Sequence, residues 1–212
     1  MGKILYGMPR TRSFRVLWTL EEVGAEYEYH LVNLGKEEGQ AQEFLRLNPG
    51  GKLPVLVDGD LVLSESAAIC THLAESHPES ALIPAAATSD RARYNQWCFF
   101  VLSELEQPLW TIAKHKFALP RDYRVREVIE TATFEFARAV KVLDLGLRGR
   151  EYLVGDNFSV ADLLATHTLM WARAAKVELG SGALETYLTR NCRRPAWVRA
   201  ERVERRKEGV MV

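Results

Sequence analysis

The apolar residues change their spacing once along this chain, near residue 80, and that change constrains the fold more than any other feature. Before it, short alternating runs and helical stripes take turns. Lys3-Ile4-Leu5-Tyr6 predicts a short strand. From about Ser13, the residues Val16, Leu20 and Val23 recur at helical spacing, and Gly24 marks a stop. Tyr27 to Val32 alternates as a strand does. A polar, glycine-containing stretch leads to a short helix around Ala41–Leu47. Leu53-Pro54-Val55-Leu56-Val57 and Leu61-Val62-Leu63 flank Asp58-Gly59-Asp60, a strong hairpin signal because Asp-Gly suits a tight turn. A helix starting near Glu65 carries Ile69, Cys70 and Leu73. The predicted order is β-α-β-α-β-β-α.

Residues 78–88 hold two prolines and no clear period, and read as a linker. No strand pattern follows. A long helix is expected from about Asp90, with Tyr94, Trp97, Val101 and Leu105 on one face, and Pro108 should kink or break it. Val125, Ile129, Ala132, Phe136, Val140, Leu143 and Leu147 make a second stripe. Ser159 and Asp162 fit a helix-starting capping box, with Phe158 and Leu163 as its hydrophobic staple. Further helices are expected over about 182–191 and 195–206. The fold class is therefore α/β plus all-α, with expected boundaries at 1–78, 79–88 and 89–212.

Charge narrows the partners. Lys+Arg and Asp+Glu both number 28, so the formal net charge is zero. Nucleic acid and acidic membrane surfaces both select excess positive charge, so neither is expected as a partner. The Arg-rich stretch over 193–207 is interleaved with Glu201, Glu204 and Glu208, which reads as a solvated helix laced with ion pairs. No apolar run of about 18 residues is present, and no signal peptide is expected at the start. The 3 cysteines, Cys70, Cys98 and Cys192, are odd in number and far apart. That argues against disulfides and a cysteine zinc site and for a reducing cytoplasm, with Cys70 and Cys98 as small core residues. No His/Asp/Glu cluster has metal-ligand spacing, so no metal is expected. His167 shares the stripe of Leu163, Leu164 and Trp171 and reads as a packed core histidine.

Four segments carry a resemblance that runs over essentially the whole length. They are Tyr6-Gly7-Met8-Pro9-Arg10-Thr11-Arg12-Ser13-Phe14-Arg15-Val16, Asn48-Pro49-Gly50-Gly51-Lys52-Leu53-Pro54-Val55-Leu56, Leu63-Ser64-Glu65-Ser66-Ala67-Ala68-Ile69 and Phe158-Ser159-Val160-Ala161-Asp162. Together they resemble the glutathione transferase superfamily, of bacterial cytosolic type with a serine/threonine-like first loop. The second and third, at this spacing, are the specific ones. The resemblance implies a thioredoxin-like N-terminal domain that binds glutathione as co-substrate, an all-helical C-terminal domain and a homodimer.

It also assigns roles. Leu53-Pro54, cis in the family, would pair its backbone edge with the cysteinyl part of the extended tripeptide, as an added strand does. Glu65 and Ser66 open a helix whose free N–H groups seat a carboxylate. The family places the γ-glutamyl carboxylate on Ser66 and turns Glu65 toward the α-amino group. A helix cap is the plainer role for the same residues. Lys52 is placed to reach the glycyl carboxylate, and is equally well read as a solvated lysine. Asp162 is carried over as a folding residue.

The thiol needs help to ionise, since a cysteine-like thiol titrates near about 8.5. Family members supply Tyr, Ser or Cys from the first loop, and Cys is absent here. Thr11 ranks first, donating its hydroxyl beside the N-terminus of the following helix. Arg10, as a positive charge, and Ser13, as a second hydroxyl, rank next. Tyr6, at the end of the first strand, ranks last. Met8, Trp110 and His115 are candidates to line an electrophile pocket between the halves, though Met and aromatic residues at helical spacing are more often core. The function implied is thiolate attack on a small hydrophobic electrophile, in the manner of a detoxification enzyme. The alternatives are glutathione-dependent peroxidase, isomerase or dehalogenase chemistry, or a non-catalytic binding or stress module.

Overall fold

The computed structural model describes residues 2–209. Four strands form one sheet: β1 (Lys3–Gly7), β2 (Tyr27–Leu31), β3 (Val55–Asp58) and β4 (Leu61–Ser64). Their order is β2-β1-β3-β4, with β1 and β2 parallel and the other two pairings antiparallel. Asp58 pairs with Leu61, so Gly59-Asp60 is a two-residue hairpin loop. Gly59, at φ 62°, supplies the left-handed backbone which that loop needs.

Three helices accompany the sheet: α1 (Ser13–Val23), α2 (Gln42–Leu47) and α3 (Ser66–Ser76). The helix α1 stops where expected, at Gly24, whose N–H returns to the Leu20 carbonyl. The polar stretch before α2 holds two short 3₁₀ turns, Leu34–Lys36 and Glu38–Gln40. Leu5, Val16, Leu17, Trp18, Leu20, Val55, Leu56, Ile69, Cys70 and Leu73 are all buried. The element order of this part and its β3–β4 hairpin follow the sequence expectation.

The remaining helices are α4 (Ser89–Phe100), α5 (Gln107–Ala113), α6 (Val128–Gly146), α7 (Val160–Ala174), α8 (Gly182–Asn191) and α9 (Pro195–Glu208). Pro108 neither ends the long helix nor merely bends it. A π-helical segment, Val101–Glu106, precedes α5 and a second, Lys114–Ala118, follows it. The wider turn falls where the proline ring would meet the carbonyl four residues back. The capping box at Ser159 forms. Asp162, fully buried, accepts from Ser159 N–H at 3.0 Å, Ser159 Oγ at 2.9 Å, Leu153 N–H at 2.9 Å and the Tyr187 hydroxyl at 2.9 Å.

Packing divides the chain differently from the expected 1–78, 79–88 and 89–212. One compact unit is Pro84–Cys192. The other joins the described residues up to Ile83 with those from Arg193 on. The reason lies on α9. Trp197 meets Phe14 and Trp18 of α1 edge to face, at centroid distances of 4.6 and 4.7 Å. Arg194 grips Glu22 with two bonds, at 2.6 and 2.9 Å. Arg199 holds Glu21 at 2.8 Å. Only part of the arginine-rich stretch behaves as a self-paired solvated helix, as in Arg205–Glu201 at 2.8 Å. Arg194 and Arg199 instead dock α9 onto α1. Among the described residues no helix is long and apolar enough to cross a membrane, and no group of three or more His, Cys, Asp or Glu could hold a metal ion.

Candidate functional site

Two groups of predicted residues lie in the first unit. One is the corner where β4 enters α3. The peptide Leu53–Pro54 is cis and immediately precedes β3. Glu65 stands at the N-cap of α3 with φ 69° and ψ 109°, a backbone conformation that non-glycine residues avoid. Its side chain makes no capping bond, so it is not acting as the plain helix cap that the sequence also allows. Ser66, only 5% exposed, begins the helix. Behind it lies a residue whose part the sequence reading left unassigned. The Arg15 guanidinium, fully enclosed, donates to Ser66 Oγ at 3.3 Å. The cue was available, because Arg15 interrupts the otherwise apolar run of Phe14, Val16, Leu17 and Trp18. A buried cation, a helix N-terminus and a hydroxyl thus converge on one point, and all three favour an anion there. Lys52 is exposed, and its carbonyl accepts from Asn48 Nδ2 at 2.8 Å, which closes the Asn48–Lys52 loop.

The second group is the loop between β1 and α1. Gly7 is tightly enclosed: a Cβ there would lie 2.8 Å from the Tyr29 hydroxyl and 2.9 Å from Ser13 Cβ. The Thr11 hydroxyl lies 2.7 Å from the Met8 carbonyl and 2.8 Å from Ser13 Oγ, and it accepts the Ser13 N–H at 3.2 Å. Ser13 Oγ in turn accepts the Met8 N–H at 3.2 Å. Thr11 has one hydroxyl hydrogen, so when it donates to Met8 the Ser13 hydroxyl donates to Thr11. Thr11 is half-buried and Ser13 fully buried. Ser13 therefore supports Thr11 from beneath.

The other first-loop candidates have committed partners. The Arg10 guanidinium is on Glu208, Nε to Oε1 at 2.8 Å. Its charge is thus already paired. Tyr6 packs against the cluster of Val32, Phe44 and Val55, with its ring 5.1 Å from that of His30. This is the ordinary role of a strand tyrosine. Met8 Sδ accepts the Leu34 N–H at 3.4 Å. Of the two remaining pocket candidates, Trp110 is half-buried on α5 with its ring 6.4 Å from Trp171. His115 accepts the Val125 N–H at Nδ1, at 3.0 Å. His167 is half-buried on α7.

No local sequence pattern points to what holds this loop. Its Arg10 amide donates to Glu204 Oε1 of α9 at 3.0 Å. Burial raises the Glu204 carboxyl to about 7, and the neighbouring Glu208 adds to the rise, while the Arg10 amide opposes it. The Tyr29 hydroxyl is buried with no hydrogen-bond partner among the described residues. Burial, and then the Glu204 charge, push its ionisation upward, so it stays a neutral phenol.

Comparison with known proteins bears on the family. Residues 1–75 match the model of the glutathione S-transferase N-terminal domain, and residues 106–195 match that of the C-terminal domain. A zeta-class glutathione S-transferase of Euphorbia esula is 38% identical over 154 residues, 71% of this chain and 67% of that one. Glutathione S-transferase GST-4.5 of Xanthomonas campestris pv. campestris is 31% identical over 152 residues, 71% and 74% of the two chains. A protein of Escherichia coli named disulfide-bond oxidoreductase YfcG is 32% identical over 166 residues, 75% of each chain. Among solved structures, a glutathione transferase of Methylococcus capsulatus superposes with a TM-score of 0.85 at 30% identity, covering 95% of this chain and 98% of that one.

Proposed function

Since the chain belongs to the glutathione S-transferase family, we propose that it binds glutathione as co-substrate and activates its thiol for attack on a small hydrophobic electrophile. One observation carries the binding half of this reading. Glu65 is held in a left-handed conformation directly before Ser66, and Ser66 rests on the buried Arg15 guanidinium. Such strain persists where a site uses it. The γ-glutamyl carboxylate sits on the Ser66 hydroxyl and the free N–H groups of α3, with Glu65 facing the α-amino group. The Leu53 backbone takes the cysteinyl part as an added strand, and Lys52 takes the glycyl carboxylate.

For the chemical half, Thr11 is the donor to sulfur. Its hydroxyl turns from Met8 toward the thiolate, while the Ser13 hydroxyl and N–H stay on Thr11 Oγ1. The α1 N-terminus, with no acidic residue in its first turn, adds a favourable potential. The thiol proton is lost to solvent, the thiolate forms the carbon–sulfur bond at the electrophilic carbon, and the leaving group departs with its bonding electron pair. Glutathione titration by calorimetry tests the binding, and turnover of a chloronitrobenzene tests the chemistry. Absence of both sinks the reading.

A second reading rests on the Thr11 hydrogen being engaged inside the loop. If that bond persists with glutathione bound, the chain is a non-catalytic binding module, seen as affinity without turnover. The name of the Escherichia coli relative makes disulfides the next substrates to try.

The assembly proposed is a homodimer in the cytoplasm. All three cysteines are free thiols, as a reducing compartment requires. In the second unit Phe99 and Phe134 are 69% and 63% exposed, and in the first the edge strand β4 presents Leu61 and Val62. A contiguous apolar patch marks an interface, and these residues are the proposed members of one. Phe134→Glu should convert the dimer to monomer in sedimentation, and an unchanged mass would remove Phe134 from the interface.

A further inference from the structure

We propose that Glu204 is a positioning residue for the first loop: by accepting the Arg10 amide hydrogen it fixes the turn that presents Thr11, and it holds that turn more firmly as carboxylate than as carboxylic acid. The inference deepens the proposed function and rests on it for the role of Thr11.

The geometry is specific. Arg10 sits at φ 60°, a left-handed conformation that a non-glycine residue keeps only when its surroundings impose it. Two bonds from α9 impose it here. Glu204 takes the amide at 3.0 Å, and Glu208 takes the guanidinium at 2.8 Å. Thr11 follows directly, so the left-handed turn sets where its hydroxyl lies. The anchor itself is firm, because α9 is packed on α1 through Trp197.

The two acids differ. Glu208 pairs with a mostly exposed guanidinium, an interaction worth little in water. Glu204 is partly buried and holds a backbone group, and such charge-assisted bonds are roughly twice as strong as neutral ones. The groups facing Glu204 make its charge state responsive. On its own helix Glu201 and Glu208 disfavour the anion, although Arg205 partly screens Glu201 at 2.8 Å. From the loop, the Arg10 amide and charge favour it. From β2 the neutral Tyr29 phenol faces it, and Lys207 is turned to the Tyr29 carbonyl at 2.9 Å. On α1, Glu21 and Glu22 are taken by Arg199 and Arg194, and Arg15 points to Ser66. With its ionisation at about 7, Glu204 changes charge near neutral pH.

The test uses the full chain and a neutral isostere, Glu204→Gln. First, the Arg10 amide is followed by proton–nitrogen NMR from pH 5 to 9 without glutathione. A one-proton transition near neutrality is expected in the native chain and none in the variant. A flat native profile, or the same transition in both, overturns the proposal whatever the activity. Second, kcat/KM for glutathione and a chloronitrobenzene is measured across the same range. Toward acid the native chain should lose about three- to tenfold relative to the variant, levelling off at the variant's rate once Glu204 is protonated. At pH 8 the variant should have a kcat about three- to tenfold lower with KM unchanged. Identical pH profiles overturn the positioning role even if the amide titrates. An amide that titrates in a chain with no turnover removes the catalytic reading and leaves the loop contact standing.

Discussion

The corner at Leu53–Ser66 and the loop at Met8–Arg12 lie in the same unit, yet they are built on different principles. The corner is assembled by a hairpin and the helix that follows it, with a single support from α1 through Arg15. The loop carries its own small network of Met8, Thr11 and Ser13, but its turn is held by a side chain 194 positions away. A site made from consecutive elements is preorganised as soon as they pair. A site made by a distant helix is only as well formed as that contact, and its charge state becomes adjustable. Binding and thiol activation are therefore expected to respond separately to mutation.

Four measurements can break or sharpen that separation. The largest effect is expected from Thr11→Val, which removes the donor and keeps the shape. By analogy with lost oxyanion donors, kcat should fall about 100-fold while glutathione affinity measured by calorimetry holds. Equal losses in both would merge the two regions. Ser66→Ala should do the reverse. It deletes a bond to a charged group and leaves Arg15 without that acceptor, so affinity should weaken by about 2 kcal/mol, with kcat at saturation preserved.

Third comes the dependence of stability on pH. The folded Glu204 value, about 7, lies above the ordinary 4.5, so its contribution is fully present below about 4.5 and is lost as pH rises through 7. Glu204→Gln lacks that loss. Between pH 6 and 8 the variant should gain on the native chain by a few degrees in melting temperature, on the order of 1–2 kcal/mol. Parallel melting curves would show that Glu204 is not strained by its charge. The smallest effect belongs to Arg10→Ala. Its side chain is mostly exposed and its amide bond survives, so only a slight, salt-sensitive change in kcat is expected. A loss as large as that of Thr11→Val would mean that the guanidinium itself serves the thiolate.

Legibility in the sequence follows the same division. Alternation over Tyr27–Val32, the Asp-Gly turn, the capping box at Ser159 and the helix start at Glu65-Ser66 are signals written within a few residues, and a strand, a hairpin, a capping box and a helix form there. The resemblance placed Leu53–Pro54 in the cis form, and it is cis. Glu204 could not be read this way, since its spacing on α9 fits a solvated face as well as a loop anchor. Arg15 was visible as a charge in an apolar run, but its partner Ser66 was not. Around Pro108 a kink was legible, whereas its resolution into π-helical turns depends on how the rest of the bundle packs.

The return of α9 to α1 has a consequence for how the protein is made. The second unit is, in linear order, an insert between two parts of the first. On a ribosome the sheet and α1 emerge early but lack Trp197, Arg194 and Arg199 until the whole second unit has been synthesised. The later-encoded bundle has every one of its helices in hand sooner, so it can mature while the unit begun first still waits for its last piece.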